Sequence, residues 1–215
     1  MQQSANFRRP TGLRTGGWRL TLVLTGVVLG VALLMIFGIG GSDGARFAIR
    51  FSARASLILF LAAFMASALN RLWPSNAARW LVRNRRYLGV AFAGSHLVHA
   101  LAIGAYVMTD AHAFYASQQP LGYVLNGVGY FYILAMAATS FRRPAQAIGP
   151  VAWRWLHLTG GYYIWFAFAK SYFPRAVHHG FFAPFAIALI LVLAMRIAVV
   201  LQGTRLKPAQ GQGAG

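Results

Sequence analysis

The sequence predicts an all-α protein, a bundle of six transmembrane helices with both termini on the cytoplasmic side. Three observations carry this. Apolar residues make up 58% of the 215-residue chain and charged residues only 10%, a balance foreign to soluble domains. The apolar residues run in long stretches, separated by short segments rich in Gly, Pro, Ser and Arg that punctuate helices. The charge is lopsided, with twenty Lys and Arg against two Asp and Glu, and most of it sits in those short segments. In a soluble protein a net charge of +18 would suggest nucleic acid. Basic runs between apolar stretches read instead as membrane topology, so membrane lipid replaces nucleic acid as the expected partner.

A helix crossing roughly 30 Å of hydrocarbon at about 1.5 Å per residue needs about 20 mainly apolar residues. The basic segment 1–19 comes first, then span one at 20–39. Arg8, Arg9, Arg14 and Arg19 give it the look of a signal peptide, but the apolar run is long and five more follow, so it is read as retained. Gly40-Gly41-Ser42-Asp43-Gly44 separates it from span two at 53–73, which carries Arg54 near its outer end. Span three, 87–108, holds His96 and His99. Span four, 121–141, stops at Arg142-Arg143-Pro144. Span five, 155–173, opens on His157 and closes near Lys170, and span six covers 181–201. The transmembrane domain is thus 20–201, and the Gly- and Gln-rich tail 202–215 is expected to be disordered. No segment has the length of a separate soluble domain.

Orientation follows from the basic residues. With the N-terminus inside, fifteen of the twenty fall on the inner side: four before span one, then Arg71, Arg79, Arg83, Arg85 and Arg86, then Arg142, Arg143 and Arg154, then Arg196, Arg205 and Lys207. The outer side keeps Arg46, Arg50, Arg54, Lys170 and Arg175, with both acids, Asp43 and Asp110. That excess places both termini in the cytoplasm.

Several chemistries are excluded outright. Without cysteine there are no disulfides, thiolate metal sites, thiolate-ligated haem or iron–sulfur clusters. Two acids exclude paired-carboxylate catalysis, and no G-x-G-x-x-G follows a strand to bind a nucleotide.

What remains is a short set of ionisable residues at membrane depth, each costing about 2.5–3.5 kcal/mol or more at the bilayer centre. Counted from Arg86, His96 lies about 15 Å and His99 about 20 Å toward the outside, while His157 lies about 5 Å beyond Arg154. Lys170 follows His157 by about 20 Å, close to the level of His99. The spacing of three puts His96 and His99 on one face. Gly89, Gly94 and Gly104 on span three and Gly160-Gly161 on span five would permit close helix approach or leave room for a flat cofactor. The plainer reading is that the histidines hydrogen-bond across helices, worth about 0.6–2 kcal/mol, and that Lys170 snorkels outward beside Tyr172. His112, His178 and His179 belong to outer loops. Trp153, Trp155, Tyr162, Tyr163 and Trp165 read as interface belt and packing.

The run Arg85-Arg86-Tyr87-Leu88-Gly89-Val90 leading to Leu97-Val98-His99 resembles the third span of ferric reductase-like transmembrane proteins. Ala138-Thr139-Ser140, Gly149, Trp153-Arg154-Trp155-Leu156-His157 and Tyr162 follow the same family's order, and Arg54 fits as well. Within the family the resemblance is to the MsrQ (YedZ) group, the haem-binding membrane subunits of periplasmic methionine-sulfoxide reductase systems. It covers spans two to five. It implies a multi-pass protein of the bacterial cytoplasmic (inner) membrane, an electron-transfer subunit of oxidoreductase type binding haem b, with His99 and His157 as iron ligands. A quinol or a reduced flavin (quinone or FMN) would serve as donor, the donor being a separate protein or molecule, and a periplasmic reductase would accept the electrons. The sequence departs from the family at Lys170, where a second span-five histidine is expected thirteen residues after the first. Lys170 as a free amine, His178 or His179 folded back, or five-coordinate His99 are the ways such a site would be completed. A scaffold without haem, serving structure or assembly, is the alternative.

Overall fold

The structure is a computed structural model that describes residues 16–116 and 119–205, with side chains described as far as residue 202. Arg8, Arg9, Arg14 and residues 206–215 of the tail, Lys207 among them, lie outside the described residues, while 202–205, expected to be disordered with the rest of the tail, continue the last helix. The described chain is helical, with no strand, in the order α1 Trp18–Ile39, α2 Gly41–Leu72, α3 Asn76–Thr109, α4 Ala111–Ala116, α5 Pro120–Ala138, α6 Arg142–His178 and α7 Ala183–Arg205, a single 3₁₀ turn preceding α7. Five helices are long and apolar enough to cross a membrane: α1, α2, α3, α5 and the stretch Gly180–Gln202 that contains α7. α6 is the longest at 37 residues but is more polar, and it bends at Gly149, whose φ of 74° is left-handed and suits a residue without Cβ. Pro150 follows as the first residue of the second segment, where a missing N–H costs nothing.

The helices extend well beyond the apolar runs that foretold them. Gly40 and Gly41, at φ 77° and 58°, reverse the chain within one residue of the end of α1, so the segment expected to be a loop is instead the first turns of α2. The hairpin is tight there: a Cβ on Gly44 would collide with the Met35 carbonyl. As a result Arg46, Arg50 and Arg54 lie on one helix at intervals of four and share a face. α3 likewise starts eleven residues before its apolar run, capped by Ser75 Oγ accepting from Ala78 N at 3.1 Å.

α2 is the hub, packing on α1, α3 and α7; α3 packs on α5, α5 on α6 and α6 on α7. α2, α3, α5, α6 and α7 therefore close a ring, with α1 outside it against α2 and α3. Large apolar side chains face outward from the ring, among them Leu22, Phe37, Phe131 and Ile187, as expected where the solvent is lipid. Half of the ring interior is filled by aromatic packing: Phe60 lies 5.0 Å from Phe64, 5.5 Å from Phe92 and 5.6 Å from Phe168 between ring centroids. Beyond Phe92 and Phe168 the interior opens.

Small residues divide by role. A Cβ on Gly94 would meet Thr25 Oγ1 at 2.6 Å, and one on Gly160 would meet Met136 Sδ and Tyr132 Cδ1 at 2.9 Å, so these glycines seat α3 on α1 and α6 on α5. A Cβ on Gly161 would come within 3.1 Å of Phe64. Gly89 and Gly104 have nothing within 4 Å. Gly94 and Gly160 thus secure helix contacts rather than room for a ligand, and the glycine on the open space is Gly129 of α5.

Candidate functional site

The open part of the ring is a cavity of about 1050 Å³, at the top of the roughly 300–1,000 Å³ range of small-molecule sites. α3 contributes His96, His99 and Ile103; α2 contributes Ile49, Ala53 and the three arginines; α5 contributes Asn126, Gly129 and Tyr130; α6 contributes Ile164, Ala167, Phe168 and Ser171. Phe92 and Phe168, 6.3 Å apart, separate it from the packed half of the bundle. Its mouth lies where α2 begins and α6 ends, beside Phe114 of α4.

His99 is held in one tautomer by its neighbours. Its Nδ1 lies 3.2 Å from the Ile49 carbonyl and 3.0 Å from Ser52 Oγ. A carbonyl oxygen only accepts, and Ser52 already donates its hydrogen to the Ala48 carbonyl at 2.7 Å. Both contacts therefore require the proton on Nδ1, leaving Nε2 of this cavity-lining ring with its lone pair free. That is the arrangement by which proteins orient a metal-ligating histidine. Ser52 is fully buried, so its role is fixed by packing.

His96 lies one turn deeper, its ring 5.3 Å from that of His99 and 5.1 Å from that of Tyr130. Its Nδ1 and the Tyr130 hydroxyl are both buried without a hydrogen-bond partner. Orphaned polar atoms of this kind cost about 1–3 kcal/mol each, and two on the wall of one cavity mark a place for an occupant.

The mouth is strongly cationic. Arg46, Arg50, Arg54 and Arg175 line it, with His179, and no carboxylate does. Their partners are neutral: Arg46 Nη2 donates to Tyr106 Oη at 2.7 Å, Arg175 Nη1 donates to Ser171 Oγ at 2.6 Å, and the Arg54 guanidinium stacks 4.7 Å over the Phe181 ring. Four guanidinium groups gather at this mouth, and the carboxylates near them, Asp43 and Asp110, act on Arg46 from outside the lining, so Arg50, Arg54 and Arg175 give the mouth a positive field suited to an anion.

The other residues expected at the site fall elsewhere. Lys170 is exposed and does not line the cavity; α6 turns Ala167 and Ser171 inward instead. Lys170 as a free-amine ligand to complete the site is therefore corrected by the helix register, since equal depth along α6 does not mean the same side of it, and its exposure agrees with the plainer reading that it snorkels outward. His178 is exposed and outside the lining, whereas His179 reaches the rim. His157 belongs to the opposite end of the bundle. Its Nε2 is 3.1 Å from Thr139 Oγ1, which already donates to the Ala135 carbonyl at 2.7 Å, so the imidazole is the donor and ties α6 to α5. Its ring stacks on Trp153 at 4.3 Å, and Trp153 Nε1 donates to the Thr139 carbonyl at 3.0 Å. Tyr163 and Trp165 also tie helices, donating to the carbonyls of Leu125 at 2.7 Å and Leu189 at 3.0 Å, while Trp155 faces outward.

Among the described residues no three His, Cys, Asp or Glu side chains gather as a metal centre. The imidazoles on the cavity are those of His96 and His99 on its wall and His179 at its rim. Tyr130, Arg175 and Ser52 escaped the sequence reading because each is a single residue without a motif. The arginines at 46, 50 and 54 carried a usable signal in their spacing of four on the side where cations are depleted. Compared with protein-family models, curated proteins and solved structures, the chain matches none.

Proposed function

We propose that the chain is a six-span electron-transfer subunit of the bacterial inner membrane, of ferric reductase-like type, with both termini cytoplasmic and one haem b held in the cavity by His99. α6 is read as the sixth span, its polar character coming mainly from exposed residues, Arg142, Arg143, Gln146 and Arg154 in its first part and Lys170 further on, while the face it turns to the cavity is largely apolar. The observation that carries the reading is the locked Nδ1–H of His99 on a large cavity whose mouth is lined by four arginines and by no carboxylate.

The residues fit the group. His99 supplies an imidazole whose second-shell partners, Ser52 and the Ile49 carbonyl, fix its direction. Arg50, Arg54 and Arg175 match the carboxylate side chains of a haem, bidentate pairing being what guanidinium does best. Phe168 on the cavity wall, backed by Phe92, would shield a bound haem from water on the side read as cytoplasmic. A haem there supplies one-electron chemistry. The donor, a quinol or a reduced flavin, would act from the cytoplasmic half and a periplasmic partner would receive the electron at the arginine-lined mouth. His157, with Nε2 given to Thr139, serves as a helix tie near the donor side.

A second reading has its own support. α6 places no histidine opposite His99, which suits a scaffold that serves structure or assembly without haem. A reduced-minus-oxidised difference spectrum of membranes containing the protein separates the two. A Soret and α-band change lost in His99→Ala supports the haem subunit; a featureless spectrum with haem supplied supports the scaffold.

A further inference from the structure

We propose that this site keeps one face of the iron open to a small exchangeable ligand, of the class of carbon monoxide, azide or imidazole, so that the protein binds such molecules as well as relaying electrons. The inference rests on the reading of the cavity as a haem site. Its basis is the side of the cavity that faces α3. There α6 presents Ile164, Ala167, Phe168 and Ser171, none of which is an ordinary haem ligand. His96 cannot complete the coordination, because it leaves the same face of the same helix as His99 and approaches from the same side. Lys170 is on the outer surface of α6. The phenols of Tyr106, Tyr123, Tyr130 and Tyr172, which all line the cavity, bind iron only after losing a proton, which phenols ordinarily hold to a pH of about 10. Among the described residues that leaves His179, which sits exposed at the rim with its ring 6.5 Å from that of Phe182.

Ser171 gives the open face a hydrogen-bond donor. Its Oγ accepts from Arg175 at 2.6 Å, so the hydroxyl hydrogen remains available to the cavity that Ser171 lines. A ligand bound on the α6 side therefore meets one available O–H with a cation behind it, a setting that favours polar or anionic ligands.

The experiment uses the full chain, purified with its haem, reduced with dithionite and exposed to carbon monoxide, in the wild type and in His179→Ala. The expected result is a shifted, sharpened Soret band in both, reversed by photolysis. In the ferric protein, Ser171→Ala is expected to weaken azide binding about 2- to 10-fold while leaving the ligand-free spectrum unchanged, which a merely structural role would not do. A six-coordinate spectrum that carbon monoxide leaves unaltered in both proteins overturns the inference and leaves the haem reading standing. Carbon monoxide binding gained only in His179→Ala also overturns it, by showing that His179 closes the face. A protein without any Soret band overturns the haem reading and the inference with it.

Discussion

Replacing Ser52 by Ala tests the chemistry of the site without touching the residue expected to bind the iron. Ser52 is completely buried, and its Oγ does two things: it donates to the Ala48 carbonyl at 2.7 Å and accepts the His99 Nδ1–H at 3.0 Å. The substitution removes one of two acceptors for that proton and leaves the Ile49 carbonyl at 3.2 Å, so the imidazole keeps its tautomer but loses part of its orientation. A hydrogen bond of this kind is worth about 0.5–1.5 kcal/mol net. Haem affinity should accordingly fall about 2- to 12-fold. The assay is titration of the haem-free protein with haemin, followed at the Soret band. Ser56→Ala is the control: Ser56 is equally buried one turn further along α2, but its hydroxyl pairs with Ser95 at 2.9 Å and not with a histidine. Wild-type affinity in Ser52→Ala, or an equal loss in Ser56→Ala, would refute the reasoning, the first by severing Ser52 from the site and the second by reducing its effect to packing.

Other consequences concern the scaffold. Gly160→Ala should lower thermal stability in detergent by about 1–3 kcal/mol, because the new Cβ meets Met136 and Tyr132 at 2.9 Å, whereas Gly104→Ala, with nothing within 4 Å, should be neutral or stabilising. Arg196→Met should cost about 1.5–3 kcal/mol in the same measurement, since the guanidinium stacks 4.0 Å from the centre of the Phe64 ring and donates to the Phe64 carbonyl at 2.9 Å. His157→Ala should lower the unfolding temperature while preserving the Soret band, the loss being that of the tie to Thr139; disappearance of the band would make His157 a ligand after all.

The sequence made the architecture readable because lipid imposes a simple rule: each crossing needs its own apolar run, and a chain nearly free of acids leaves little else to explain them. Helix ends were less readable. Gly40-Gly41 looks like a loop, yet two left-handed glycines are enough to reverse the chain and let Arg46 and Arg50 continue a helix, because a membrane helix stays helical past the hydrocarbon wherever it is still packed. His99 was singled out by its depth, its spacing from His96 and the family resemblance; the structure adds that both histidines line one cavity. The tautomer of His99 was not readable, since that depends on Ser52, 47 residues away. Lys170 shows the limit of counting rise alone: thirteen residues beyond His157 fixes a depth, while the direction in which the side chain points depends on how α6 is rotated against α5 and α7. Tyr130 and Arg175 became visible only when four helices brought them to one cavity.

The central claim, that His99 holds one haem in the arginine-mouthed cavity, is tested most directly by the haem content of purified protein produced with ample haem supply. One haem per chain is expected in the wild type and none in a folded His99→Ala variant. Haem-free wild type, or haem retained at full occupancy in His99→Ala, would contradict it.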